Sequence, residues 1–202
     1  MDRVDFFDDL ASHWDADEVA DIDERLQRVV SLSRISEGES VLDVGTGTGI
    51  LIPHLLGTLG PSGRIIAIDI SSEMIEKAKA KRFPPNVRFL LASIENSSLP
   101  NEYFDRIFCN AVYPHFENKQ RALSELKRLL RSGGTLIISH PIGRERVNSI
   151  HRESSSIVAE DRVPSAAKMR NILEEAGFER AYVIDEPEFY FAHALKPRAN
   201  RI

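Results

Sequence analysis

Gly45, Thr46, Gly47, Thr48 and Gly49 form an alternating loop directly after the apolar run Val41–Val44, which Asp43 interrupts. Glycine loops that follow a strand approach nucleotides, and their spacing distinguishes which one. A P-loop needs a lysine after its last glycine, and none follows Gly49. A dinucleotide fingerprint needs G-x-G-x-x-G; Gly45 and Gly47 match, but Ile50 stands where the third glycine belongs. Asp43 sharpens the difference, because a carboxylate one residue from the loop repels a pyrophosphate and attracts an ammonium. Asp69 ends the next apolar stretch, RIIAIDI, and an acidic residue there can accept from both ribose hydroxyls. A ligand with adenosine at one end and an amino acid at the other satisfies both carboxylates. S-adenosylmethionine has that shape.

Three histidines offer proton chemistry. His115 lies in NAVYPHF, His140 in IISHPIG, and His151 follows the basic stretch around Arg144 and Arg146. Imidazole titrates near neutrality and suits a general base. The same residues can instead be hydrogen-bonded wall residues. They can also be metal ligands, although their spacing matches no standard zinc motif. Arg144, Arg146 and Arg152 read as a solvated helix face, or as forks for an anionic acceptor. Tyr113 can stack on a planar acceptor or simply pack. Cys109, the single cysteine, reads as a small buried hydrophobe.

These residues need a scaffold that brings strand ends together. The first 36 residues look helical. Val19, Ile22, Leu26, Val29 and Val30 line one face, with Asp17, Glu18, Asp21, Asp23 and Glu24 near the helix start. A shorter aromatic piece, Phe6-Phe7 through Trp14, precedes it. From residue 40, strands alternate with helices. Strands are expected at 41–44, 64–70, 87–91, 104–110, 135–140, 178–184 and 189–195. Helices are expected at 49–59, at 71–82 with Ser71 as N-cap, at 117–131 ended by Gly133-Gly134, and at 165–176 stopped by Gly177. Asp105 starts the fourth strand, at the end away from a ligand, and reads as structural. The short 185–188 connection predicts an antiparallel last pair. This pattern predicts an α/β, doubly wound, mostly parallel seven-stranded sheet with an antiparallel last strand and an N-terminal helical cap. Ligands of such sheets bind beyond the strands' carboxyl ends.

With these elements in order, the sequence resembles the class I S-adenosylmethionine-dependent methyltransferases. VLDVGTGTG followed by AIDIS is similar to the family's first two motifs, and LKRLLRSGGTLIIS to its helix, double-glycine turn and fifth strand. FFDDLASHWD resembles the opening of the small-molecule group that includes the ubiquinone and menaquinone C-methyltransferases. The resemblance implies that Asp43, Gly45, Thr46, Gly47 and Gly49 surround the methionine part and that Asp69 binds the ribose. It further implies that Ile70, Met74, Ser93 and Ile94 line the adenine, that Asn110 and Ala111 border the transferable methyl, and that Trp14 closes the site. Ser93 stands where relatives often carry an aspartate.

The chain of 202 residues, 42% hydrophobic, is expected to form one domain. Within it fall a cap (1–36), a cofactor-binding core (37–140), a substrate-cap insertion (141–164) and a C-terminal helix with a strand hairpin (165–202). The net charge of −5 disfavours nucleic acid as a partner. The acidic start lacks a secretory pattern, no stretch is apolar enough for a membrane span, and one cysteine fits a reducing cytoplasm. The expected function is methyl transfer from S-adenosylmethionine to a small molecule, leaving S-adenosylhomocysteine. A non-catalytic S-adenosylmethionine binder and an NAD-type oxidoreductase are the competing readings.

Overall fold

The computed structural model describes residues 2–12, 14, 21–154 and 156–198. Asp17, Glu18 and Val19 of the expected long helix lie outside the described residues. Two helices precede the sheet, α1 (Arg3–Ala11) and α2 (Ile22–Ser33). Asp2 caps α1 through Asp5 N, and the Asp5 carboxylate answers to Asp2 N, which satisfies two end donors reciprocally. α2 buries Leu26, Val29 and Val30, the stripe that its spacing predicts.

The strands are β1 (Ser40–Val44), β2 (Arg64–Asp69), β3 (Val87–Leu91), β4 (Phe104–Asn110), β5 (Leu130–His140), β6 (Glu179–Glu186) and β7 (Phe189–Leu195). They form one sheet in the order β3-β2-β1-β4-β5-β7-β6. All pairs from β3 to β5 are parallel, and β7 runs antiparallel to both of its neighbours. The doubly wound architecture is therefore as expected. The order reverses between β1 and β4, and the crevice beyond their carboxyl ends is the place for a ligand.

Alternate strand residues face opposite layers. Leu42, Ile107, Cys109, Leu136 and Ile138 pack with α5 (Lys119–Leu129) and α7 (Ala166–Glu175). Val41, Ile65, Ala67, Phe108 and Ile137 pack with α2 and α3 (Ile52–Leu59). Cys109 is fully buried, and burial pushes its thiol up, as suits a small hydrophobe. Asp105 accepts from Ser40 N at 2.8 Å and from Arg131 Nη1 at 2.8 Å, so it ties strand starts together at the far end of the sheet.

Several boundaries differ from expectation, and two of them have a visible backbone cause. α3 starts at Ile52 rather than Gly49, because Gly49 has φ +81, a left-handed conformation that no helix interior accepts. α5 ends at Leu129, and Gly133-Gly134 lie inside β5 instead of capping the helix. The β4–β5 register shifts between Phe104 and Arg106, and a Cβ on Gly134 would stand 3.1 Å from Asp105 O. The glycine pair lets an irregular strand pass close to its neighbour. α4 (Ser72–Ala80) begins as expected, with the Ser71 hydroxyl accepting from Met74 N.

Candidate active site

A cavity of about 350 Å³ lies beyond the carboxyl ends of β1, β2 and β4, within the size range of small-molecule sites. Its floor is the glycine loop, contributed by Gly45, Thr46, Gly47 and Ile50. Asp69, Ile70 and Met74 form one wall, and Ser93 and Ile94 continue it. Asn110, Ala111 and His115 form another part of the wall, and Phe7 and Trp14 from the N-terminal segment line it as well. Most of the expected ligand residues therefore meet around one space.

Local chemistry explains the shape. Gly45 has φ +66, and a Cβ there would stand 2.3 Å from Val112 Cγ2, so only glycine lets the first loop approach the loop after β4. Ala111 carries φ +56, an unfavourable conformation for a residue with a side chain. Its N–H donates to Ser139 O at 2.7 Å, which fixes it. The Asn110 carboxamide accepts from Ser139 Oγ at 2.8 Å, so β5 orients the wall that β4 provides. Ser93 Oγ accepts from Glu95 N and caps a short 3-10 turn at Ile94–Asn96.

Asp69 does two jobs. It lines the cavity, and its two oxygens accept from Gly47 N at 2.8 Å and Ser71 N at 3.0 Å. Burial raises its pKa, and those backbone donors pull it back. Asp43 and Gly49 stand behind the wall rather than in it. Asp43 is 1% exposed, accepts from Thr46 Oγ1 at 2.7 Å, and is pushed up to about 7 by burial. Gly49 serves packing, since a Cβ there would stand 3.2 Å from both Ile52 and Phe83.

The three histidines come to different places. His115 ends the 3-10 turn Tyr113–His115 after β4 and lines the cavity. Its Nδ1 lies 2.7 Å from Asp161 Oδ2. Burial lowers its pKa, and Asp161 opposes that. His151, on α6 (Arg144–Glu153), packs its ring 4.9 Å from that of His115. Its Nδ1 lies 2.9 Å from the Asp161 carbonyl oxygen. His140 is 2% exposed, sits away from the cavity wall, and is pushed down to about 3, first by burial and then by the other two histidines. Its position at the end of β5 suited a base, yet the sheet and Tyr190 enclose it. Among the described residues, no group of three or more His, Cys, Asp or Glu is placed to hold a metal ion.

The α6 arginines also differ from the acceptor-fork expectation. Arg144 pairs with Asp185 and Glu145, and Arg146 and Arg152 are exposed; none lines the cavity. Among the described residues, Arg3 is the arginine or lysine that lines the cavity, together with the carboxylate residues Asp2, Asp69, Glu95 and Glu117. Arg3 and Asp161 carried no local signal in the sequence, because they meet across 158 residues.

Comparison with known proteins agrees with this geometry. A methyltransferase-domain family model matches residues 35–177. The chain belongs to that family. An arsenite methyltransferase of Halobacterium salinarum is 28% identical over 186 residues, which are 87% of this chain and 48% of the relative. A ubiquinone/menaquinone biosynthesis C-methyltransferase of Francisella tularensis subsp. novicida is 30% identical over 116 residues, 55% of this chain and 46% of the relative. The chain spans about half the length of these curated relatives. Among solved structures, a S-adenosylmethionine-dependent methyltransferase of Aquifex aeolicus superposes with a TM-score of 0.75 at 26% identity, covering 92% of this chain and 97% of that one. The fold is thus that of the class I S-adenosylmethionine-dependent methyltransferases, and S-adenosylmethionine is the cofactor the family uses.

The residues fit that cofactor. A Cβ built on Gly47 would lie 3.7 Å from Trp14 Nε1 and 4.0 Å from Met74 Sδ, so the bare loop leaves the room a ligand tail needs. Asp69 presents a carboxylate at the end of β2, where ribose hydroxyls seek an acceptor. Ile70, Met74 and Ile94 line the cavity and would give adenine an apolar wall.

Proposed function

We propose that this protein transfers a methyl group from S-adenosylmethionine to a small-molecule acceptor, with His115 taking the acceptor's proton. The observation that carries the reading is one cavity lined by the glycine loop, by Asp69 and by His115 together. The cofactor supplies an electrophilic methyl on a sulfonium, and the sulfur keeps the electron pair of the broken bond.

The chain supplies binding, alignment and proton control. Asp69 and the loop hold the donor. Asn110 and Ala111 border the reacting end. Phe7 and Trp14 line the cavity from the N-terminal segment and help keep water out. His115 stands in the same wall, low in pKa and therefore neutral at physiological pH, the state in which a base works. The wall holds more carboxylates than cations, and Arg3 is already paired with Asp161. This charge balance favours a neutral or cationic acceptor over an anionic one.

An acceptor screen with methyl-labelled cofactor tests the proposal. His115→Ala is expected to lower turnover by roughly 10²–10⁴-fold, the usual worth of a general base, with S-adenosylhomocysteine affinity nearly intact. Full turnover in that variant eliminates His115 as the base. Tight cofactor binding without transfer to any acceptor favours a non-catalytic binder.

A further inference from the structure

Asp161 lies where three segments converge. Its Oδ2 is 2.7 Å from Arg3 Nη1 and 2.7 Å from His115 Nδ1, and its Oδ1 is 2.8 Å from Arg3 Nη2. Its carbonyl faces His151 Nδ1. The loop carrying it is pinned to α6 by two bonds of Asn148 to Val163, at 2.8 and 3.1 Å. The Asp161 carboxylate is 7% exposed, and it lies outside the cavity wall while both of its side-chain partners lie in that wall.

We propose that Asp161 is a positioning residue that couples the N-terminal cap to His115, holding the imidazole by Nδ1 while Arg3 of α1 holds the carboxylate in place. The proposal rests on the reading of His115 as the base. A neutral imidazole that donates Nδ1–H to a carboxylate carries its lone pair on Nε2. When the acceptor gives up its proton, the bond from that proton to the acceptor atom breaks and a bond to Nε2 forms. The acceptor's electron pair then makes the bond to the methyl carbon. Asp161 stabilises the resulting imidazolium. The bidentate Arg3 fork fixes the orientation of the carboxylate, so the correct tautomer depends on α1 being docked. A merely structural ion pair is a weak source of stability when buried, and it would not need a titratable ring as its third member. Phe7, also on α1, packs edge-on against His115 at 5.2 Å, so the cap holds the ring from two sides.

Several other charged groups belong to the same neighbourhood. Lys119 of α5, Glu95 and Glu117 lie around Arg3, and His151 of α6 and His140 of β5 lie around His115. Among them, Asp161 accepts from the ring.

The test is histidine-ring NMR on the nitrogen-labelled full chain bound to S-adenosylhomocysteine. Wild-type His115 is expected as the Nδ1–H tautomer. In Asp161→Asn that preference is lost and His115 titrates lower, because the carboxylate raises its pKa. In Arg3→Lys, which keeps the charge and loses the fork, the tautomer preference weakens. An Nε2–H tautomer in the wild type overturns the proposal without any variant, so a misfolded mutant does not decide the matter. Unchanged tautomer and titration in both variants overturn it as well. With an acceptor from the screen, Asp161→Asn is expected to lower kcat at least tenfold with little change in the KM for S-adenosylmethionine. If His115→Ala methylates at the wild-type rate while Asp161→Asn shifts the ring signals, the base reading fails and the coupling stands. If His115→Ala is slow and Asp161→Asn leaves the ring unchanged, the coupling fails and the base stands.

Discussion

His140 and Tyr190 oppose each other across the β5–β7 pair, with ring centroids 6.2 Å apart, and the polar end of each is buried without a hydrogen-bond partner among the described residues. A buried polar atom without a partner costs stability, on the order of 1–3 kcal/mol. The pair therefore behaves as core with two uncompensated groups.

His140→Phe tests this directly. Burial holds His140 at about 3 against an ordinary 6.5. The unfolded chain then binds the proton first, so stability is full above pH 6.5 and drains as pH falls from there toward 3. The melting temperature of wild type is expected to drop over that window, and that of His140→Phe to drop less. Methyl transfer in this variant is expected to persist, in contrast to His115→Ala. A lost turnover with an unchanged fold returns His140 to the list of bases.

Asp43 has the opposite linkage. Its ordinary value is 3.8 and burial raises it to about 7, so the folded state holds the proton longer than the unfolded one. Stability is expected to fall as pH rises from 3.8 to 7 and to level off above. Asp43→Asn removes that fall, which denaturant titrations at several pH values measure. Affinity for S-adenosylhomocysteine, which carries an ammonium, is expected to rise in wild type as Asp43 ionises near neutrality. In Asp43→Asn this rise is expected to vanish. An identical pH profile of binding in both proteins shows that Asp43 only braces Thr46.

Gly45→Ala puts a methyl 2.3 Å from Val112 Cγ2 and 2.6 Å from its Cβ, at a φ of +66. Strain at such a position costs about 1–3 kcal/mol, and the clash adds to it. Stability and cofactor binding are both expected to fall. Because Val112 Cβ itself is in the way, Val112→Ala is not expected to rescue the variant, whereas Val112→Gly recovers part of the loss. Equal rescue by both places the problem elsewhere.

The cap docks through Asp8, whose Oδ1 accepts from Ser71 Oγ at 2.5 Å and Glu73 N at 3.2 Å, at the N-terminus of α4. Asp8→Ala leaves that helix end less satisfied, a loss of about 0.5–2 kcal/mol. Stopped-flow measurement is expected to show faster S-adenosylhomocysteine release with little change in association. Unchanged release separates the cap from the ligand's exit.

The strand–helix alternation, the glycine loop, Asp69 and the capping role of Ser71 were legible in order along the chain, because period, turn chemistry and short-range capping are local. The cofactor class follows from that local pattern, and the family match agrees with it. The helix end before Gly133-Gly134 was not legible. A glycine pair caps a helix or eases a bulged strand equally well until the neighbouring strand is in place.

The residues around the acceptor depended on tertiary structure throughout. In sequence, His115 and His140 stand ahead of His151 because each falls at a strand end, and nothing local separates the two. The sheet encloses His140, α6 sets His151 behind, and the turn after β4 brings His115 to the cavity. Arg3 and Asp161 lie 158 residues apart and acquire meaning only when α1 docks in the tertiary fold. Sequence alone determined the glycine loop and the carboxylate at the end of β2, since each is built from contiguous residues. The fold decided which histidine lines the cavity and which carboxylate meets it, since those contacts join segments that only packing brings together.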